Sequence, residues 1–217
     1  MKRYKEILKE TGLIELDKKL FPNMNLIDIA SVFGKVVPGA RDEVVQSLPA
    51  RDRGEGPIGS FSYAVGYGSF PWHTDTAYWD MPARYLLLTS QAVSSCATLI
   101  QSFANIRDSV PDFDYLISRS VFLLDIPGRK RYLSPGFVGD NGEKGLRLDF
   151  HIYRPVNKES HILQERVGVY LKENFERKIW SGENVVIFDN WKYMHSRENA
   201  YNDKTRLLKR IYINELD

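Results

Sequence analysis

The chain has 217 residues, with 30 basic and 28 acidic side chains and a formal charge of +2. That near-balance gives no electrostatic case for nucleic acid, and no apolar run reaches the length of a membrane span. A length of 217 residues with 43% apolar composition predicts one sizeable core, in a single domain over 1–217.

The N-terminal stretch Met1–Glu6 is charged and lacks an apolar signal core. Residues 2–20 carry Ile7, Leu8, Leu13, Ile14 and Leu16, which predicts one or two short helices broken near Gly12. Leu26–Phe33 predicts a further amphipathic helix, stopped by Gly34 at the position after its last turn. Residues 1–35 therefore read as a helical part that packs on the rest of the chain.

From residue 58 onward strands are predicted. Phe61, Tyr63 and Val65 alternate with small residues, and Tyr85–Ser90, Thr98–Phe103 and Ser118–Asp125 are bounded apolar runs. Leu146–Ile152 alternates, with Arg147, Asp149 and His151 on one face. Asn184–Phe188 and Arg206–Asn214 complete the strands, and Glu159–Asn174 has helical periodicity. Six or more short strands with a few flanking helices predict a mainly β fold, a sandwich or jelly roll. The only cysteine, Cys96, permits no internal disulfide; it reads as core, and a reducing, cytoplasmic compartment fits. Arg129-Lys130-Arg131 reads as a solvated turn.

The chemistry concentrates in Phe70-Pro71-Trp72-His73-Thr74-Asp75. An imidazole and a carboxylate two apart on an extended segment point to the same side and offer two ligands to one metal ion. Of the four histidines, His161 lies at a predicted helix start and reads as solvated, and His151 reads as structural. His195 follows a buried strand and a polar turn and is the best third ligand. Two imidazoles and one carboxylate form the facial triad that leaves positions open on Fe(II). Arg206 and Arg210 are four apart on a predicted strand and share one side. A buried guanidinium needs an anion, and a carboxylate can take two parallel hydrogen bonds from it.

These motifs, in this order, resemble those of the Fe(II)/2-oxoglutarate-dependent dioxygenases of the taurine dioxygenase (TauD/TfdA-like) family. Ile29–Lys35 is similar to the family's early helix. Phe70–Asp75 with Tyr78-Trp79 and Pro82–Leu88 is similar to its first metal motif, and Gly182–Asn190 with His195-Ser196-Arg197 to its second. The resemblance implies a double-stranded β-helix (jelly roll, cupin-like), with His73, Asp75 and His195 on Fe(II). It implies Arg210 on the distal carboxylate of 2-oxoglutarate, Arg206 as an accompanying contact, and Thr98 as the family's strand threonine. The glycines and aspartate that usually precede that threonine are replaced here by Ser95-Cys96-Ala97. The implied reaction consumes O2 and 2-oxoglutarate, releases succinate and CO2, and hydroxylates or desaturates a small polar, amino-acid-like molecule. With Asp75 present, halogenation is disfavoured. Arg147, Asp149, Tyr67 and Trp79 are the candidate substrate contacts. The chain is short for the family between Asp149 and His195, which implies a reduced lid or one completed by a second copy in a homo-oligomer. Neither a membrane nor nucleic acid is expected as a partner. Rival readings are an iron oxygenase that does not use 2-oxoglutarate, a catalytically inert jelly-roll binding protein, and a zinc hydrolase.

Overall fold

The structure, a computed structural model, describes residues 1–39, 42–126 and 128–216. The N-terminal part comprises α1 (Lys2–Thr11), β1 (Leu13–Asp17), a 3-10 turn (Lys18–Leu20), α2 (Leu26–Phe33), β2 (Gly34–Val37) and β3 (Gln46–Pro49). It continues through α3 (Phe61–Val65), β4 (Tyr85–Ser90), β5 (Val93–Ser102), α4 (Phe103–Ser109), α5 (Phe113–Arg119), β6 (Phe122–Ile126) and β7 (Arg129–Leu133). The remainder is β8 (Gly136–Val138), β9 (Lys144–Leu146), β10 (Tyr153–Pro155), α6 (Lys158–Tyr170), β11 (Glu176–Ser181), β12 (Asn184–Asp189), β13 (Tyr193–Arg197) and β14 (Leu207–Leu216).

The chain is mainly β with flanking helices. The largest sheet is antiparallel, in the order β1-β12-β4-β14-β2, with β3 also paired to β14. Leu86, Leu88, Val186, Phe188 and Tyr212 on one face pack against Ile100 and Trp180 of a second sheet, β11-β5-β13. Its other face, with Tyr85, Leu87, Val185, Ile187 and Ile211, is covered by Leu8 of α1 and Ile29 and Phe33 of α2. Cover on both faces explains why β4 and β12 are buried at every position and read as unbroken apolar runs. A third cluster joins α4, α5 and α6 to β6 and β10, and includes Leu148 and Met194 beside the two metal motifs.

Several local expectations are corrected. Residues 2–20 hold one helix and the edge strand β1, because Leu13–Asp17 pairs with β12 rather than turning into a second helix. Phe61–Val65 is one helical turn, capped by the Ser60 hydroxyl accepting from Tyr63 N and ended by Gly66 at φ 57°. The five-residue alternation was too short to separate strand from turn. Ser118–Asp125 divides between the end of α5 and β6. Beyond β9 the pairing in Leu146–Ile152 narrows to a bridge between Asp149 and His73; Asp149 then turns the chain by accepting at Oδ1 from His151 N and Ile152 N. The Arg129-Lys130-Arg131 cluster forms part of β7. Arg129 and Arg131 both donate to Tyr78 O, and Arg131 also pairs with Asp80, so this hairpin braces the chain just past the first metal motif.

Helix α2 begins with a reciprocal capping box between Asn25 and Asp28. Gly34 ends it with φ 171°, an extended conformation open to any residue. The glycine is required by a close approach: a Cβ there would overlap Glu215 O on β14. Gly34→Ala should therefore cost about 1–3 kcal/mol through overpacking. Denaturant unfolding should show a lower midpoint, and an unchanged midpoint would mean that β14 yields freely.

Candidate active site

His73 and His195 are paired through the backbone. His73 N donates to His195 O at 3.0 Å and His195 N donates to His73 O at 2.9 Å. Two such bonds make a closely bonded antiparallel pair, which sets both side chains on one side. Their ring centroids are 4.2 Å apart. His73 also bridges Asp149 on its other flank. Asp75, two residues on, brings its carboxylate to the same point: Oδ1 lies 3.5 Å from His73 Nε2 and 3.8 Å from His195 Nε2. All three side chains are buried, and one ligand atom from each lies within 4.8 Å of the others.

The surroundings of each ligand suit metal binding. His73 Nδ1 is 2.9 Å from Pro71 O, which can only accept, so Nδ1 donates there and Nε2 is the nitrogen turned toward the other two side chains. Burial, and then the neighbouring His73, lower the pKa of His195 to about 3, so its ring is neutral at ordinary pH. Burial alone would raise the Asp75 carboxyl, but Arg210, with His73 and His195, holds it well below the usual carboxylate range. Arg210 Nη1 donates to Asp75 Oδ2 at 2.5 Å, and Gln46 Oε1 accepts from the opposite side of the same guanidinium. The two carboxylate oxygens are therefore differentiated: Oδ2 is taken by Arg210, and Oδ1 faces the imidazoles.

The triad lies in the wall of a cavity of about 800 Å³ that also reaches Gln46, Phe61, Thr98, Asp149, His151, Arg197, Arg206 and Arg210. The sequence-derived pairing of the arginines is altered here. Arg206 is 5% exposed and makes no ion pair among the described residues; its guanidinium donates to Cys96 O and to Thr98 Oγ1. Thr98 Oγ1 also accepts from Trp180 Nε1 at 3.2 Å. The hydroxyl accepts twice, so its own proton remains to be donated, as do the unused N–H groups of Arg206. Arg197 is a second buried guanidinium without a carboxylate partner among the described residues. It donates to Gly66 O and Gly68 O and stacks 3.7 Å from the centre of the Phe70 ring. Burial and the charge of Arg206 lower its pKa to about 10. Two buried cations beside a free hydroxyl donor are suited to hold an anion. Arg210, by contrast, already has its carboxylate.

Of the candidate substrate contacts, only Asp149 reaches the cavity wall. Arg147 turns away: it donates to Trp79 O and Asp80 O and lies over the Phe137 ring, bracing the 79–80 loop. Tyr67 packs on Ala50, Cys96 and Ala200, and Trp79 lies edge-on behind Tyr212. His151, read as structural, is exposed on the cavity wall with its ring 5.2 Å from that of Phe61. His161 is exposed on α6, as expected. Gln46 escaped the sequence reading because β3 is four residues long and carries no motif. No helix among the described residues is long and apolar enough to cross a membrane.

No protein-family model and no curated protein matches the chain. Solved structures do. An asparagine oxygenase in complex with Fe(II), 2S,3S-3-hydroxyasparagine and succinate is 16% identical with a TM-score of 0.74, covering 98% of this chain and 77% of that one. PvcB, an Fe, alpha-ketoglutarate dependent oxygenase from an isonitrile synthetic pathway, is 16% identical with a TM-score of 0.69, covering 98% and 79%. The non-heme iron oxygenase OrfP, in complex with Fe and alpha-ketoglutaric acid, is 15% identical with a TM-score of 0.71, covering 99% and 80%. The chain shares the fold of these oxygenases.

The buried, neutral His195 sets the direction of a pH effect. Its folded pKa of about 3 lies below the ordinary 6.5, so the unfolded chain takes up a proton that the folded chain refuses. Stability of the metal-free protein should fall as pH drops from 6.5 toward 3, with a limiting slope of about 1.4 kcal/mol per pH unit from this group. His195→Gln should flatten the slope between pH 6.5 and about 4.5, above the range of the carboxylates. Denaturant unfolding at a series of pH values measures it, and equal slopes in both proteins would refute the assignment.

Proposed function

We propose that this chain is an Fe(II)- and 2-oxoglutarate-dependent oxygenase, a single double-stranded β-helix (jelly-roll) domain that oxidises a small amino-acid-like molecule. The observation that carries the reading is one cavity joining a buried His73-Asp75-His195 cluster to a buried anion site at Arg206 and Thr98. The donor set fits the ion: two imidazoles and a carboxylate suit non-heme Fe(II) and leave positions for other ligands. His73 Nε2, His195 Nε2 and Asp75 Oδ1 would hold it. When bound, iron supplies the O2 chemistry that couples decarboxylation of 2-oxoglutarate to oxidation of the substrate.

The protein's own work is positioning. Arg206 and Thr98 would receive the distal carboxylate of 2-oxoglutarate, where a buried cation has donors to spare and no anion of its own. Arg210 serves the metal centre instead, by neutralising Asp75 Oδ2. This reading reverses the roles that the family resemblance implied for the two arginines. Asp149 adds a buried carboxylate to the wall, suited to a cationic group of the substrate such as an ammonium. The asparagine oxygenase and OrfP structures with hydroxylated amino acids support substrates of this class. The intact ligand set favours an active enzyme over an inert binding protein, and the Arg206 site favours use of a dicarboxylate. A cytoplasmic location belongs to the same reading and rests on the single, buried Cys96.

Anaerobic addition of Fe(II) and 2-oxoglutarate should produce a charge-transfer absorption band. A screen of amino acids under air should find succinate release that requires His73, Asp75 and His195. Arg206→Ala should raise the 2-oxoglutarate requirement by about two orders of magnitude, as expected when one partner of a buried charged contact is lost. Arg210→Ala should weaken iron binding more than it weakens 2-oxoglutarate. The opposite pattern in the two variants would restore Arg210 as the anchor; absence of the band would remove the function.

A further inference from the structure

We infer that Asn190 is a positioning residue for the metal centre, whose side chain stands in for a β-ladder that ends one residue before Asp75. The inference rests on the metal reading above. His73 and Thr74 are held by backbone partners: His73 N donates to His195 O, and Thr74 N donates to Leu148 O at 2.7 Å. Beyond Asp75 the chain turns out of the extended conformation, with Thr76 in the left-handed region at φ 54°. No strand among the described residues runs beside Asp75 to take its peptide groups.

Asn190 takes them. Its Oδ1 accepts from Asp75 N at 2.7 Å, and its Nδ2 donates to Asp75 O and to Ala83 O, both at 2.9 Å. One acceptor meets an N–H and one NH2 meets two carbonyls, so only this orientation of the amide satisfies all three contacts. Asn190 is fully buried and is itself fixed by its N–H, which donates to Arg84 O at 2.7 Å. Thr76 Oγ1 adds a bond to Asp75 O at 2.7 Å and accepts from Ala83 N at 2.8 Å. With the peptides on both sides of its Cα fixed and Oδ2 held by Arg210, Asp75 is left one way to direct Oδ1, toward the imidazoles. Asn190 also directly follows β12 and lies five residues before His195. A single connection therefore delivers one ligand and orients another.

Mn(II) binding to the full chain, read by electron paramagnetic resonance and calorimetry, tests this apart from turnover. Asn190→Ala should weaken Mn(II) binding by about 10–100-fold, the usual effect of losing an outer partner of a metal ligand. Asn190→Asp keeps an acceptor for Asp75 N but loses both donations, and should also bind more weakly. Leu8→Ala, in the core between α1 and the outer face of the large sheet, should lower the thermal midpoint without this loss. In the wild-type chain the Asp75 amide should exchange slowly with solvent. Wild-type Mn(II) affinity in either folded Asn190 variant, an equal loss in Leu8→Ala, or rapid exchange at Asp75 would overturn the inference and leave the proposed function standing. A wild-type chain that binds no Mn(II) or Fe(II) would remove both.

Discussion

The reciprocal backbone bonds between His73 and His195 are the constraint on which the site depends. These residues are far apart in sequence, and the contact between their segments is an isolated bridge rather than a long ladder. It is supported from both sides. β13 carries His195 along β5, with His195 opposite Ile100, and Leu148 accepts from Thr74 N on the other flank. The stacked sheets exist, in functional terms, to hold that bridge still. An imidazole displaced by about 1 Å would leave a site that is present but too loose to use.

Charge is distributed with equal economy. Asp75 sits among two imidazoles, Arg210 and the Tyr212 hydroxyl, and Gln46 holds Arg210 from behind. Farther along the cavity the guanidinium groups of Arg206 and Arg197 are buried and hydrogen-bond to neutral acceptors. The cavity thus has a balanced end at Arg210 and a positive end at Arg206, four residues apart along the chain. Coulombic attraction in a partly dehydrated cavity exceeds that in bulk water several-fold, so a dianion of the kind proposed above would be oriented along this axis on entry.

Much of this was legible in the sequence, for reasons that differ by residue. The unbroken apolar runs at Tyr85–Ser90 and Asn184–Phe188 could be read because both faces are buried, and His73-x-Asp75 because an extended segment has a two-residue period. The helix Leu26–Phe33 announced itself by its apolar period and the glycine after it, although the purpose of Gly34 lies across the sheet at Glu215, beyond the reach of local reading. Arg206 and Arg210 have the same strand phase, and no periodicity distinguishes them. Only packing shows that Gln46 and Asp75 occupy one while Thr98 and Cys96 O surround the other. Asn190 was visible as part of a motif, but its partners are main-chain atoms more than a hundred positions away, which no pattern of side chains encodes. Arg147 failed for a related reason. Its alternation with Asp149 was real, but its guanidinium is taken by Trp79 O and Asp80 O, away from the cavity that Asp149 lines.

Arg197 and Arg206 carry a consequence for how the chain behaves as a material. Each is buried without a carboxylate bonded to its guanidinium among the described residues, and the charge of Arg206 further lowers the proton affinity of Arg197. The folded state therefore holds electrostatic tension that any well-placed anion relieves, and the unfolded chain offers no such place. By mass action, an anion at about a hundred times its dissociation constant adds about 2.7 kcal/mol to the resistance against unfolding. The abundance of such an anion in a cell would then govern how long the protein survives as well as how fast it works.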